Sequence, residues 1–145
     1  MKVVIQKVKK ASCRVDGAIT GQIERGFLVF VGFTLGDNEV KLDKMIKKIV
    51  QLRIFNDEND KMNLNLTQVN GAILSISQFT LYANTENGNR PSFTEALRPE
   101  ESSPLYDAFN KRLEAMGIVV AKGIFGAHMD IELINDGPVT ILLEF

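Results

Sequence analysis

The sequence predicts an α+β fold: one domain with a mixed, largely antiparallel, barrel-like sheet and two main helices. Three observations lead there. Strand-like runs crowd the first third and the last quarter of the chain, and only two segments carry apolar residues at helical spacing. Strands and helices do not alternate as a doubly wound parallel sheet requires. The 145 residues form a single domain, 1–145, large enough to bury about two-thirds of the surface its unfolded chain exposes.

Taken in order, Val3 to Val8, Ala11 to Val15 and Ala18 to Ile23 read as strands. Asp16-Gly17 joins the last two, since an Asp-Gly pair suits the positive dihedrals of a tight hairpin. Phe27 to Phe33 follows Gly26 without polar alternation, the pattern of a central strand covered on both faces. Asp37-Asn38 then offers an N-cap, and Leu42, Met45, Ile46, Ile49 and Val50 recur at helical spacing through Arg53, with Lys41, Lys44 and Lys48 on the wet face.

Asn56 to Asp60 is a polar loop, and Gly71 to Tyr82 reads as the longest strand. Residues 84–100 lack periodicity and carry Gly88, Pro91 and Pro99, which marks an ordered loop rather than a linker. Ser103-Pro104 fits an N-cap followed by proline at the first helical position. Leu105, Phe109, Leu113 and Met116 supply the stripe of that second helix, which ends at Gly117. Ile118 to Ala121, Met129 to Ile134 and Val139 to Phe145 complete the strands.

Composition narrows the chemistry. With 17 basic and 18 acidic residues the net charge is −1, which neither requires nor forbids a nucleic acid. Two basic clusters stand out: Lys2, Lys7, Lys9, Lys10 and Arg14, and Lys41, Lys44, Lys47, Lys48 and Arg53. Each is either an ordinary solvated face or a phosphate-facing patch. His128 is the only histidine and Cys13 the only cysteine, so a zinc site of the Cys/His type lacks ligands and a hydrolytic triad would hang on one imidazole. No metal and no cofactor is expected. Cys13 reads as a small core residue and His128 as non-catalytic. One cysteine makes no internal disulfide, no signal peptide is recognisable and no apolar run approaches the roughly 18–20 residues of a membrane span, so the expected location is cytoplasmic, with no membrane partner.

Two segments resist a purely structural reading. Ile73, Leu74 and Ile76 lead into Ser77-Gln78-Phe79-Thr80-Leu81, where three polar side chains interrupt what reads as a buried strand. A buried polar group without a partner costs roughly 1–3 kcal/mol, so Ser77, Gln78 and Thr80 need an internal network or a ligand. Thr80 is the nucleophile candidate, yet no His, Lys or carboxylate lies in the motif to activate it, which argues against covalent catalysis. The second segment, Asn135-Asp136-Gly137-Pro138-Val139-Thr140, ends a strand with a Gly-Pro peptide, whose trans preference is only about 0.5–1 kcal/mol.

Together these segments resemble the signature of the D-aminoacyl-tRNA deacylases. The resemblance runs along the chain through Val4-Ile5-Gln6-Lys7-Val8 with Ala11-Ser12, Gly26 to Gly32, Arg53-Ile54-Phe55, Lys61-Met62-Asn63-Leu64-Asn65, Arg90-Pro91-Ser92-Phe93, and Phe125-Gly126-Ala127 with Met129. It implies a metal-independent ester hydrolase that clears D-amino acids, and glycine mischarged on tRNA(Ala), from the 3′ end of tRNA. It also implies a homodimer in which a Gly-cisPro of one subunit, here Gly137-Pro138, reaches the partner's substrate and excludes L side chains. Phe79 and Thr80 would then give main-chain contacts near the carbonyl, Ser77 and Gln78 would orient the strand, and Phe125 and Met129 would shape the pocket. The terminal 2′-hydroxyl of the tRNA would assist the reaction. Arg90 and the Pro91-Ser92-Phe93 turn would reach tRNA backbone, while Arg53 is read equally as a member of an internal ion pair or a phosphate contact. The rival from another class is a non-catalytic RNA-binding module using the basic clusters. A deacylase of altered stereospecificity would depart from both motifs, and no DNA partner is expected.

Overall fold

The computed structural model describes residues 1–145. Strand β1 runs unbroken over Lys2–Val15, merging the two strands expected there, because Lys9 and Lys10 at their junction stay in extended, exposed backbone. It turns at Asp16 and Gly17, with φ of 49° and 79°, into β2, Ala18–Ile23. The first half of β1 pairs antiparallel with β3, Gly26–Gly32, and its second half with β2. Alternation then decides where each side chain goes. Phe27, Val29 and Val31 of β3 face the helices, while Leu28 points into the curl of the sheet.

Helix α1, Glu39–Gln51, begins as expected, with the Asn38 side chain accepting from the Val40 and Lys41 N–H groups at 3.0 and 3.1 Å. Its buried stripe is the anticipated Leu42, Met45, Ile46, Ile49 and Val50. A short hairpin absent from the sequence reading follows: β4, Phe55–Asn56, and β5, Met62–Leu64, close around Asp57, whose carboxylate accepts from the Asn59 and Lys61 N–H groups. Those hydrogen bonds hold the Asp57 carboxyl below its usual range.

Strand β6, Ala72–Ser77, pairs parallel with β3 and stops five residues earlier than the sequence predicts. Its partner ends at Gly32, so the chain beyond Ser77 has no ladder to continue and instead winds into a 3-10 turn over Phe79–Tyr82. Helix α2, Pro99–Ala115, starts earlier than expected, with Pro99 rather than Pro104 in the first turn and Arg98 as a cap that makes no side-chain bond. The sequence reading places Pro99 in the preceding loop. Pro104 sits exposed inside the helix, where its missing N–H costs the helix one hydrogen bond.

Strands β7, Val120–Lys122, and β8, Asp130–Glu144, complete the sheet. β7 adds parallel to β6, and β8 lies antiparallel along the whole of β1. β2 comes back against β7 so closely that a Cβ on Gly21 would meet the Lys122 backbone, and the sheet is nearly closed. The single domain therefore has two apolar regions: Val8, Ala11, Cys13, Ile23, Leu28, Leu74 and Ile76 fill the curl, and the larger core lies between the sheet and the two helices. In the latter, Phe27 and Phe55 stack with ring centroids 5.1 Å apart. Cys13 is buried in the curl as a core residue. No helix is long and apolar enough to cross a membrane.

Candidate active site

The end of β6 builds one wall of a cleft. After Ser77 pairs with Val31, the Gln78 N–H donates to the Val31 carbonyl at 2.8 Å, which carries the strand one residue past its ladder. The Gln78 carbonyl then passes so close to Gly32 that a Cβ there would lie 2.7 Å from it. Only a residue without a side chain lets β3 and the turn approach in this way. The turn closes through the Leu81 N–H to the Gln78 carbonyl at 3.3 Å and the Ala83 N–H to the Thr80 carbonyl at 3.0 Å. The first N–H groups of a helical turn have no partner inside it, and in this turn they belong to Phe79 and Thr80.

The opposite wall is the Gly123–Met129 segment. Gly123 donates its N–H to the Ser75 carbonyl at 3.1 Å, and its bare Cα leaves room for the Met129 sulfur. Between the walls lies a cleft of about 630 Å³, lined by Ser77, Gln78 and Phe79 on one side and Phe125 and Met129 on the other. Five of the eight residues expected at the site thus meet in one place.

The other three do not line it. Thr80 is exposed on the turn, its hydroxyl accepting from the Gln78 amide. Ser77 and Gln78 are half-buried and Thr80 is exposed, so the buried polar run expected from the sequence does not exist; water reaches these groups, and the desolvation argument for a ligand lapses. Gly137 and Pro138 are exposed and sit in the middle of β8 rather than at a strand end. There the register against β1 shifts on either side of Val8, and the Gly137-Pro138 peptide is cis. Side chains clasp this protrusion. Asn135 Oδ1 accepts from the Val139 N–H at 3.2 Å, Asn135 Nδ2 donates to Thr140 Oγ1 at 3.0 Å, and the Lys7 ammonium stands 3.8 Å from Asp136. Lys7 is thereby buried, and it leaves the basic face to which the sequence assigned it.

Sequence reasoning missed several lining residues: Phe33, Leu97, Arg98 and Ser102. Their signal was topological, because the early start of α2 is what brings 98 and 102 to the cleft. Phe93, expected near tRNA backbone, lines the cleft and meets Phe79 edge-to-face at 5.0 Å. Arg53 does not form the internal ion pair; its guanidinium bonds the neutral Asn63 instead, at the carbonyl at 2.9 Å and at the side chain. His128 lines the cleft rim with its side chain almost wholly in solvent, 3.7 Å from Asp130. No group of three or more His, Cys, Asp or Glu side chains is gathered anywhere to hold a metal ion.

A nearly closed mixed sheet backed by two helices, with an aromatic cleft where its parallel strands end, defines a known class of fold. One solved structure, a probable eukaryotic D-amino acid tRNA deacylase, shares it with a TM-score of 0.83 over 98% of this chain and 97% of its own, at 16% identity. A second, the c-Myc DNA Unwinding Element Binding Protein, is 38% identical, with a TM-score of 0.95 over 100% and 99% of the two chains. The D-aminoacyl-tRNA deacylase of Limosilactobacillus reuteri (strain DSM 20016) is 54% identical, and that of Exiguobacterium sibiricum 51%, each over 99% of both chains. A family model described as D-Tyr-tRNA(Tyr) deacylase matches residues 4–144. The chain belongs to this family of deacylases, and it is a hydrolase.

Proposed function

We propose that the cleft hydrolyses the ester of D-aminoacyl-tRNA, and of glycyl-tRNA mischarged on tRNA(Ala), with the terminal nucleoside held among the aromatic side chains and the scissile carbonyl at the Phe79–Thr80 turn. The observation that carries this reading is the convergence of Ser77, Gln78, Phe79, Phe125 and Met129 on one cleft. Unstacked bases bind on aromatic side chains, and backbone N–H groups at a turn suit a developing oxyanion. The oxygen of a water bonds to the carbonyl carbon, assisted by the 2′-hydroxyl of the tRNA. The bond to the ribose 3′-oxygen breaks, that oxygen takes the proton, and free D-amino acid and tRNA leave. An aminoacyl ester is already reactive, so positioning supplies much of the acceleration.

Stereochemistry is read by exclusion. Gly137 and Pro138 lie outside the cleft of their own chain and are exposed, which supports delivery of the motif by a second copy, in a homodimer whose sites each take residues from both subunits. There it contacts the α-amino group and leaves no room for an L side chain; a hydrogen in that place, as in glycine, escapes rejection. The proposed setting is cytoplasmic translation, with aminoacyl-tRNA as partner and no DNA.

The test charges one tRNA with either enantiomer. Cleavage of the D ester with the L ester left intact is the expected outcome. Equal turnover of both sinks the stereochemical reading, and tight RNA binding without any hydrolysis favours the RNA-binding module instead.

A further inference from the structure

The two walls of the cleft come from separate stretches of chain, and one side chain outside the cleft touches both. On α2, the Tyr106 hydroxyl donates to the Ser75 carbonyl at 2.8 Å, two residues ahead of Ser77. That same carbonyl accepts the Gly123 N–H at 3.1 Å, where the chain leaves β7 for the second wall. The Tyr106 ring lies 6.0 Å from the ring of Phe125, tilted by 42°. Tyr106 is only 3% exposed and does not line the cleft, so it acts on a bound substrate through those walls alone. The Ser75 hydroxyl and the amide of Asn110, one turn further along α2, are buried without hydrogen-bond partners.

We infer that Tyr106 is a positioning residue for ester hydrolysis, its hydroxyl fixing the end of β6 and its ring setting the Phe125 wall. The inference rests on the reading of this cleft as the deacylase site. Fixing Ser75 fixes Ser77, and through the Gln78 link to Val31 it fixes the turn that presents the Phe79 and Thr80 N–H groups. Burial raises the pKa of the phenol, so the hydroxyl stays a donor at every pH where the reaction is followed, and its effect is independent of pH.

Tyr106→Phe keeps the ring and removes only the donor. Steady-state hydrolysis of a D-aminoacyl-tRNA over a range of substrate concentrations is measured for the wild type and the variant, each normalised to the folded fraction from thermal melting. Phe109→Leu, which alters a buried side chain on the same helix, serves as the structural control. The expected result for Tyr106→Phe is a fall in kcat of about 5- to 10-fold with KM within about twofold and an unaltered pH profile. Phe109→Leu should lower the melting temperature and leave kcat per folded molecule unchanged. A Tyr106→Phe variant with wild-type kcat, a loss confined to KM, or the same kcat loss in Phe109→Leu overturns the inference while leaving the cleft assignment standing. A wild type that does not hydrolyse the D ester overturns both.

Discussion

At the scale of single residues, Gly137 is held by its backbone. Its φ of +127° lies where L side chains rarely go, and a Cβ would meet Val139 Cγ2 at 2.8 Å. Gly137→Ala therefore costs about 1–3 kcal/mol of backbone strain and lowers the melting temperature by several degrees, more than a plain strand-end turn would. It should also reduce D-ester cleavage on the order of 10²-fold, since small misplacements near a reacting centre have that cost. Melting together with single-turnover hydrolysis checks both, and a variant cleaving at the wild-type rate would mean that the motif is only structural. Thr80 gives the opposite expectation. Its hydroxyl bonds the Gln78 amide and no carboxylate or lysine stands by it among the hydrogen bonds and ion pairs of the turn. Thr80→Ala should keep measurable activity, within about 10-fold of wild type, where loss of an obligatory nucleophile costs roughly 10⁴-fold or more. Trapping an aminoacyl group covalently on Thr80 would contradict this.

At the scale of elements, the junction of β3 with the end of β6 decides the geometry. Gly32→Ala places a Cβ 2.7 Å from the Gln78 carbonyl, an atom that cannot swing aside as a flexible side chain does. The turn must move. The expected outcome is a fall in kcat on the order of 10²-fold, with a stability loss of about 1–3 kcal/mol typical of overpacking, read by the same two assays. This junction also shows what the sequence did and did not disclose. The strands of the first third, the Asn38 cap, the α1 stripe and the two motifs were legible because each rests on local pattern. The end of β6 was not, because Leu81 and Tyr82 continue the apolar pattern while the true stop is set by the length of the partner strand. Local pattern sets the start of α2 at Pro104 and gives Pro99 to the loop, although the two residues have the same local meaning. With that start misplaced, Arg98 and Ser102 could not be assigned to the cleft. The β8 motif was found but set at a strand end, since a Gly-Pro peptide argues locally for a break while the β1 ladder runs on past it.

At the scale of the whole molecule, the proposed function requires a motif on β8 to meet a cleft that its own chain builds without it. β8 is paired on one side only, by β1, over Asp130–Glu144. So long an unpaired edge, with Ile134 and Leu142 exposed beside it, is the kind of surface that soluble proteins cover or pair. A second copy that covers it and brings Gly137 and Pro138 to the first copy's cleft satisfies both needs, and a two-fold arrangement completes both sites at once. Light scattering should then give twice the chain mass, and a stable, fully active monomer would refute the arrangement. A sharper prediction joins all three scales. Gly32→Ala damages the cleft but leaves the chain's own Gly137-Pro138 intact, and Gly137→Ala does the reverse. Each variant alone should be nearly inactive. Co-expressed and purified together, they form mixed dimers in which one site takes its cleft from the Gly137→Ala chain and its Gly-Pro from the Gly32→Ala chain, so that one site in two is whole. Random pairing makes half the dimers mixed, and about a quarter of the wild-type activity per site should return. If each site were built within a single chain, every site would carry one lesion or the other, and the mixture would stay at the level of the separate variants.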